Sequence, residues 1–174
     1  MGGGPAVSLA LFGAEHLGGL AALAEDPLVL RFTRFPDPLP EGFAVSWLAR
    51  YDAGRRTGSM EGFAILADGD FAGIAVAPEI DRSRGVVELG YAVTPELRGR
   101  GVATAALNHL TSWALEQQQL QRAELLIGAA NVASKRVAEK CGYRYDHTVP
   151  NVQVKPGRIE DAEHWIREQI VNSS

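Results

Sequence analysis

Apolar residues in this chain switch several times between the two-residue spacing of a strand and the 3.6-residue spacing of a helix. Residues 7–13 and 85–93 alternate as strands do, whereas apolar side chains recur at helical period across residues 41–54. Residues 62–78 place two apolar segments around the turn sequence DGD, which predicts a hairpin. The predicted order is β-α-α-β-β-β-α-β-α-β-β, and this mixture of periods predicts a mixed α/β domain.

The C-terminal segment is harder to assign. Its stretches YRYDHTV, VQV and DAEHWIREQIV predict closing strands, although residues 161–171 also fit a helix. A chain of 174 residues suits a single domain over residues 1–174 with its own core.

The composition excludes several classes of protein. A net charge of −4 argues against a nucleic-acid or anionic-membrane surface. The single cysteine, Cys141, excludes an intramolecular disulfide and fits a reducing compartment. No apolar run is long enough to cross a bilayer, and the N-terminal residues lack the basic start of a signal peptide. We therefore expect a cytoplasmic protein, either a monomer or a homodimer, with no nucleic-acid or membrane partner.

A glycine- and arginine-containing loop follows the strand at residues 85–93 and opens an apolar helix. Its sequence, PELRGRGVATAAL, occupies residues 95–107. A strand, a short loop and a helix start direct several backbone N–H groups into one concavity, with the positive end of a helix dipole behind them. Gly99 and Gly101 permit a close approach of ligand to backbone, while Arg98 and Arg100 add positive charge. The loop predicts an anion site, although glycine at a helix start also serves simple turn geometry.

Two other phosphate-binding loops fit these residues poorly. A nucleoside triphosphatase loop needs Lys and then Ser or Thr after its last glycine, whereas Gly101 is followed by Val102 and Ala103. A dinucleotide-binding loop needs a third glycine or alanine in step and an acidic residue that closes a parallel βαβ unit. The pattern instead favours a diphosphate that is held mainly by backbone amides.

These residues resemble the GNAT N-acetyltransferase superfamily. RGRGVA, at residues 98–103, matches the family's Arg/Gln-x-x-Gly-x-Gly/Ala loop, which binds the pyrophosphate of acetyl-coenzyme A. ELGYAVTPELRGRGVATAAL and NVASKRVAEKCGY are together similar to the Rim-type branch, whose founding members acetylate N-terminal amines of ribosomal proteins. The resemblance has good register from Ser59 to Tyr143 and a looser one from Val7 to Ile170. Cys141 departs from it, because the family commonly has an aliphatic residue there.

The resemblance implies the acyl-coenzyme A N-acyltransferase fold. That fold is a mixed, mostly antiparallel sheet of six to seven strands, flanked by about four helices and splayed between strands 4 and 5. The slot between these strands would hold the thioester of acetyl-coenzyme A, and strand backbone would pair with the pantetheine amides. The implied cofactor-binding residues are Ala92, Val93, Arg98, Gly99, Arg100, Gly101, Val102, Ala103, Asn131 and Ser134.

Acetyl transfer to an amine needs few catalytic groups. An alkylammonium has no lone pair at neutral pH, so a base must first remove its proton. Glu88 interrupts an apolar strand, and the resemblance turns its face of the strand toward the acceptor. The backbone N–H near Val93 is the expected donor to the developing oxyanion. Ser134 or Tyr143 would assist the departing thiolate, and the reaction needs no metal.

Each of these residues also has a structural interpretation. Glu88 fits a solvated strand position, Asn131 and Ser134 fit a helix cap with its partner, and Tyr143 fits a core aromatic. Cys141 is expected to be buried and inert. Four histidines show no pair at metal-ligand spacing: His16, His109, His147 and His164.

The sequence therefore predicts an acetyl-coenzyme A-dependent N-acetyltransferase that acts by direct attack in a ternary complex. The acceptor would be a primary amine, either a small molecule or a protein N-terminus. Its predicted pocket comprises Phe35, Phe43, Trp47, Tyr51, Glu88 and the tail from Tyr143 to Trp165. One alternative is a non-catalytic acyl-coenzyme A binding or sensing module, and another is a protein that binds the phosphates of a different nucleotide. The combination of Glu88 and Ser134 with an intact loop favours the enzyme.

Overall fold

Seven strands build this computed structural model, which describes residues 2–170. They are β1 (Val7–Leu11), β2 (Glu61–Ala67), β3 (Asp70–Asp81), β4 (Val86–Val93), β5 (Arg122–Gly128), β6 (Arg144–Lys155) and β7 (Arg158–Glu168). The strands form one sheet in the order β1-β2-β3-β4-β5-β7-β6. Neighbours are antiparallel throughout, except for the parallel pair β4 and β5.

Five α-helices cover the two faces of the sheet. They are α1 (Leu17–Ala24), α2 (Pro27–Phe32), α3 (Phe43–Thr57), α4 (Val102–Ser112) and α5 (Val132–Lys140). Side chains of α1, α2 and α3 form one buried cluster with alternate residues of β2, β3 and β4. Side chains of α4 and α5 form a second cluster with the opposite strand faces. Among residues 2–170, no helix has the length and hydropathy needed to cross a membrane.

The parallel pair β4 and β5 separates soon after it forms. Its paired residues are Val86–Glu88 of β4 and Arg122–Glu124 of β5. From Leu89 to Val93, the edge of β4 that faces β5 pairs with no strand in the described part of the chain. The expected splay between the fourth and fifth strands is therefore confirmed, as is the mixed, mostly antiparallel sheet.

Helix α2 was absent from the predicted order. Asp26 caps it, because the Asp26 Oδ2 atom accepts a hydrogen bond of 3.0 Å from the backbone N–H of Val29, and Pro27 occupies its first turn. Six residues are too few to display a helical repeat of apolar residues. The capping pair Asp26-Pro27 was the available sequence signal.

The C-terminal segment forms the two strands β6 and β7. Strand β7 pairs with β5 on one side and with β6 on the other, so both of its edges are occupied. The helical interpretation of residues 161–171 is therefore wrong up to Glu168, while Val171 lies outside the described residues. Strand β6 is continuous from Arg144 to Lys155 and accommodates Pro150 where its register with β7 shifts, between Val149 and Val152.

Gly73 of β3 allows β3 to pack closely against β4. Its φ is 150°, and a Cβ atom built there would lie 2.0 Å from the carbonyl oxygen of Ala92. We expect Gly73→Ala to lower the free energy of unfolding by more than about 2 kcal/mol, because the backbone of β4 must move. Urea denaturation measures the loss. Gly18→Ala is the control, since Gly18 is helical with open space around it, and it should be neutral or stabilising. Equal stability of the Gly73 variant and the wild type would contradict this account.

Candidate functional site

A cleft of about 700 Å³ opens where β4 and β5 separate. Helices α2 and α3 and their connecting segment line one side of it. The first turn of α4 and one side of α5, as far as Lys140, line the other side. The cleft therefore joins the loop at residues 98–101 to the aromatic residues of α3, and the sheet forms its floor.

The loop before α4 presents free backbone donors to this cleft. Gly99 and Gly101 have φ values of 72° and 80°, a conformation that favours glycine. Within residues 2–170, the backbone N–H groups from Gly99 to Thr104 have no hydrogen-bond acceptor. A Cβ atom added at either glycine would meet nothing within 4 Å, so the loop surface is open. This donor set at a helix start fits a diphosphate.

Arg98 holds the loop in place and is not a free charge. Its Nη2 atom donates to Asp26 Oδ2 at 2.6 Å and to the carbonyl oxygen of Val93 at 3.3 Å. The hydrogen bond from Arg98 is the main reason that the pKa of Asp26 lies below its ordinary value. Arg98, which was expected to add positive charge near the phosphates, lines the cleft, and its side chain ties the loop to the start of α2.

Three other cationic side chains differ in whether they line the cleft. Arg100 is exposed and lies outside the residues that line the cleft. Arg136 and Lys140 of α5 do line it, and both are exposed. Sequence reasoning missed these two residues, although their spacing of four places them on one side of a helix.

The free edge of β4 presents alternate backbone groups to the cleft. The Thr94 N–H donates to the Ala72 carbonyl oxygen at 2.9 Å, so the β4 residues in step with Thr94 direct their backbone groups toward β3. Ala92 is one of them, so its backbone N–H and carbonyl groups point toward β3. Val93 and Tyr91 face the other way. The backbone donor expected near Ala92 and Val93 is therefore the N–H of Val93.

Glu88 lines the cleft at the last residue where β4 and β5 are paired. Its side chain is 23% exposed and forms an ion pair between its Oε1 atom and Nη2 of Arg34. The buried hydroxyl of Tyr51 lies close enough that the charges of Arg50, Arg34 and Glu88 all influence it. Burial is the dominant effect and raises the pKa of Tyr51 to about 12.

Ser134 and Tyr91 form a hydrogen-bonded hydroxyl pair across the cleft. The Tyr91 hydroxyl lies 3.0 Å from Ser134 Oγ. Asn131 Oδ1 accepts from the backbone N–H of Ser134 at 3.2 Å, so Asn131 caps α5 and fixes the start of that helix. Burial raises the pKa of Tyr91 to about 12, and the hydroxyl stays protonated at neutral pH. Sequence reasoning missed Tyr91 because its partner is 43 residues away.

Tyr143 lies in the core and does not reach the cleft. Its hydroxyl is 2.7 Å from Oγ1 of Thr111, a residue of α4, and both side chains are buried. Burial raises the pKa of Tyr143 above its ordinary value. The expected assistance from Tyr143 to a departing thiolate is therefore corrected, because its hydroxyl already has a buried partner. Cys141 is buried as expected, and its Sγ atom donates to the Thr104 carbonyl oxygen at 3.4 Å.

The structure brings together some of the residues that were predicted to form an acceptor pocket. Four aromatic residues line the cleft near Glu88: Phe35, Phe43, Trp47 and Tyr51. The tail from Tyr143 to Trp165 does not line it. Lys155 of this tail is buried instead, and its Nζ atom donates to the carbonyl oxygens of Leu30 and Phe35. Through Lys155, the tail thus holds the backbone of α2 and of the segment that follows it.

Two histidines that are far apart in sequence meet on the sheet surface outside the cleft. His147 and His164 are direct partners in β6 and β7, with ring centroids 4.9 Å apart. Asp146 Oδ2 lies 2.7 Å from His147 Nδ1, and one potential ligand atom from each of these three residues lies within 4.8 Å of the others. Spacing along the sequence could not reveal this group, because strand pairing creates it.

Comparison with known proteins identifies the fold. The family model described as an acetyltransferase (GNAT) domain matches residues 7–144. The "Putative ribosomal N-acetyltransferase YdaF" of Bacillus subtilis is 30% identical over 79 residues, which are 45% of this chain and 43% of that protein. The chain therefore spans less than half the length of this curated relative.

Solved structures match over nearly the whole length. RimL, a ribosomal L7/L12 alpha-N-protein acetyltransferase in complex with coenzyme A, aligns with a TM-score of 0.87, 15% identity and 94% of both chains. Spermidine N-acetyltransferase from Vibrio cholerae, in complex with CoA and spermine, aligns with a TM-score of 0.82, 16% identity, 94% of this chain and 95% of that chain. At these identities the likeness establishes the fold.

The Arg98–Asp26 pair should make stability depend on pH. Because the folded-state pKa of Asp26 is lowered from 3.8, the ionised form stabilises the fold above that pH, and this contribution is lost as the pH falls through the folded-state value. We expect Asp26→Asn, which keeps the helix cap, to cost about 1 kcal/mol at neutral pH. Urea denaturation between pH 7 and about pH 3 should show the difference narrowing. A difference that does not change with pH would contradict the ionic role of Asp26.

Proposed function

The chain belongs to the acetyltransferase (GNAT) domain family, and on that premise we propose that it transfers the acetyl group of acetyl-coenzyme A to a primary amine. One observation carries this proposal. A single cleft joins the open donor loop at Gly99 and Gly101 to a carboxylate, Glu88, and to the hydroxyl of Ser134. These are the groups that acetyl transfer needs: an anion cradle, a base and a donor for the leaving group.

The binding of acetyl-coenzyme A would rest mainly on backbone groups. The N–H groups from Gly99 to Thr104 would hold the diphosphate, with Val102 packed in the core behind them and Ala103 at the surface of the cleft. The free edge of β4, where Tyr91 and Val93 both direct their backbone groups away from β3, would pair with the pantetheine amides. Asn131 would contribute by fixing the start of α5. The bound cosubstrate supplies an activated acetyl carbonyl and a thiolate leaving group.

Glu88 is proposed as the base. Its Oε1 atom is held by Arg34, which leaves Oε2 available to accept a proton from the acceptor ammonium. The N–H of Val93, at the free edge of β4, would donate to the acetyl carbonyl oxygen as negative charge develops there. Amine attack could then proceed in a ternary complex, with both substrates in the one cleft.

Ser134 is proposed to assist the leaving thiolate. Its hydroxyl can donate to the sulfur while it accepts a hydrogen bond from Tyr91, which stays protonated at neutral pH. Tyr91 is thus a positioning residue for Ser134. No step of this reaction calls on a metal.

The rival proposal is a module that binds acyl-coenzyme A without catalysis. Such a module needs the loop and the β4 edge, but it has no need of a carboxylate at the other end of the cleft. The position of Glu88 among aromatic side chains, held by Arg34, favours catalysis. The acceptor is proposed to be a small-molecule amine or a protein N-terminus, and the protein to be a monomer or a homodimer.

Binding of acetyl-coenzyme A should depend on Gly101. Acetyl-coenzyme A should raise the melting temperature of the wild type, because it binds only the folded state, whereas ATP and NAD should do so much less. Gly101→Ala should abolish the shift, since a Cβ atom enters the donor cradle. Differential scanning fluorimetry measures both effects.

Gly69→Ala is the matched control for this prediction. Gly69 also has a positive φ, 88°, with open space around it, but it lies in the turn between β2 and β3. The Gly69→Ala variant should lose a similar amount of stability to Gly101→Ala and keep the full rise in melting temperature with acetyl-coenzyme A. Arg100→Ala should weaken binding only modestly, because the backbone donors remain. A larger loss from Arg100→Ala than from Gly101→Ala would refute the backbone cradle, and equal shifts from all three ligands would refute the cosubstrate.

Glu88 should contribute to the catalytic rate and not to the affinity for acetyl-coenzyme A. Glu88→Gln keeps the size of the side chain but cannot accept the proton, so kcat should fall about a hundredfold while acetyl-coenzyme A still binds. Raising the pH should recover much of the rate, because more acceptor amine is already neutral. A thiol-release assay from pH 6.5 to about pH 9.5 measures this recovery. Unchanged turnover, or a defect confined to cofactor binding, would remove Glu88 from the mechanism.

A further inference from the structure

The acceptor end of the cleft has an excess of positive charge. Arg34 and Arg50 line it, and Glu88 is the one carboxylate among the cleft-lining residues of the described chain. The whole protein carries a net charge of −4, so this local excess runs against its overall charge. An excess of this kind within a concave site favours anionic ligands.

Arg34 has unused donor capacity. Its guanidinium offers five N–H donors, of which one Nη contacts Glu88, and its side chain is 60% exposed. Arg50 is also exposed, and its guanidinium carbon lies 5.9 Å from the ring centroid of Tyr51. Among residues 2–170, no carboxylate forms an ion pair with Arg50. Both arginines can therefore bind a further anion.

We propose that the acceptor amine carries a carboxylate close to its amino group, and that Arg34 binds this carboxylate with Arg50 adding to the local positive charge. The inference rests on the proposed function, because it concerns the acceptor of the same reaction. If Glu88 contacts the amine, the guanidinium beside Glu88 lies within about 5–6 Å of the amine nitrogen, given ordinary charged hydrogen-bond lengths. A carboxylate bound by that guanidinium can lie on the carbon that carries the amine, as in a free amino acid, or on the second residue of a peptide.

The same charges oppose a polyamine acceptor. A polyamine would bring two or more ammonium groups to a region with two arginines and a single carboxylate that Arg34 already engages. Like charges in such a site repel. The spermidine enzyme shares the fold with this chain, but the charges at this end of the cleft point to a different acceptor class.

The aromatic wall indicates what the rest of the acceptor contacts. Phe35 and Phe43 pack edge to face with ring centroids 4.9 Å apart, and Trp47 lines the cleft beside them. This wall suits an apolar carbon skeleton. L-phenylalanine is therefore a suitable probe, because it combines an amine, an adjacent carboxylate and an apolar side chain.

The test compares matched acceptors in a thiol-release assay with acetyl-coenzyme A. The first pair is L-phenylalanine and its primary amide. The second pair is the C-terminal amides of the dipeptides Phe-Asp and Phe-Asn, and spermidine serves as the polycation. We expect kcat/KM for at least one carboxylate-bearing member to exceed its matched amide by about tenfold or more. The first pair reports a free amino acid and the second an acidic peptide N-terminus. The amide of phenylalanine has the less basic amine, so the comparison is biased against the expected result.

Arg34→Met tests the assigned residue. It should reduce the acid-to-amide ratio of kcat/KM by about tenfold, and this ratio cancels any effect of the variant that both acceptors share. Arg84→Met is the control, because Arg84 is an exposed residue in the turn between β3 and β4, and it should leave the ratio unchanged. A ratio near one in the wild type, or a preference for spermidine, would overturn the inference.

A second readout separates failure of the inference from failure of the proposed function. If no amine releases thiol, the proposed acetyl transfer fails. Calorimetric titration then decides the inference alone, because carboxylate recognition needs no turnover. The carboxylate site is supported if L-phenylalanine or the Phe-Asp amide binds more strongly than its matched control without the carboxylate. Arg34→Met should then weaken that binding. Indifference to the carboxylate or to Arg34 would overturn it.

Discussion

The early separation of β4 and β5 is the constraint on which the remaining site depends. Parallel pairing ends at Glu88 and Glu124, so the backbone of β4 beyond that point has an edge without a strand partner among the described residues. A sheet edge buried without partners is costly, and here it faces a cleft in which water or a ligand can satisfy it. The same separation leaves room for the start of α5 on one side and for the segment after α2 on the other.

Hydrogen bonds from distant elements hold the two walls of this cleft. Arg98 joins the loop before α4 to Asp26, which caps α2, so the proposed cofactor and acceptor sides share one contact. Lys155 holds α2 through the carbonyl oxygen of Leu30 and the segment after it through that of Phe35, and this segment carries Arg34. Two residues that lie outside the proposed chemistry thus position those that perform it.

Much of the fold and part of the site were predictable from local patterns. The strand-loop-helix at residues 85–107 predicted the donor loop, and its glycines have the conformation that the loop requires. The apolar residue pattern predicted the mixed sheet. The polar interruption of a strand singled out Glu88, which lines the cleft. Helix α2 was missed because six residues show no period, and Tyr91 was missed because its importance comes from a partner on α5.

The amino-acid sequence by itself determined the order of the strands and of the four longer helices, and the glycine loop, because each follows from local backbone preference and from short-range periodicity. The tertiary structure decided which hydroxyl and which charges share the site. Tyr143 turned out to pair with Thr111 in the core, whereas Tyr91 reaches Ser134. Arg98 is engaged by Asp26, and Arg34 reaches Glu88 from 54 residues away. Such contacts depend on how the sheet and the helices pack against one another, and no spacing along the chain encodes that packing directly.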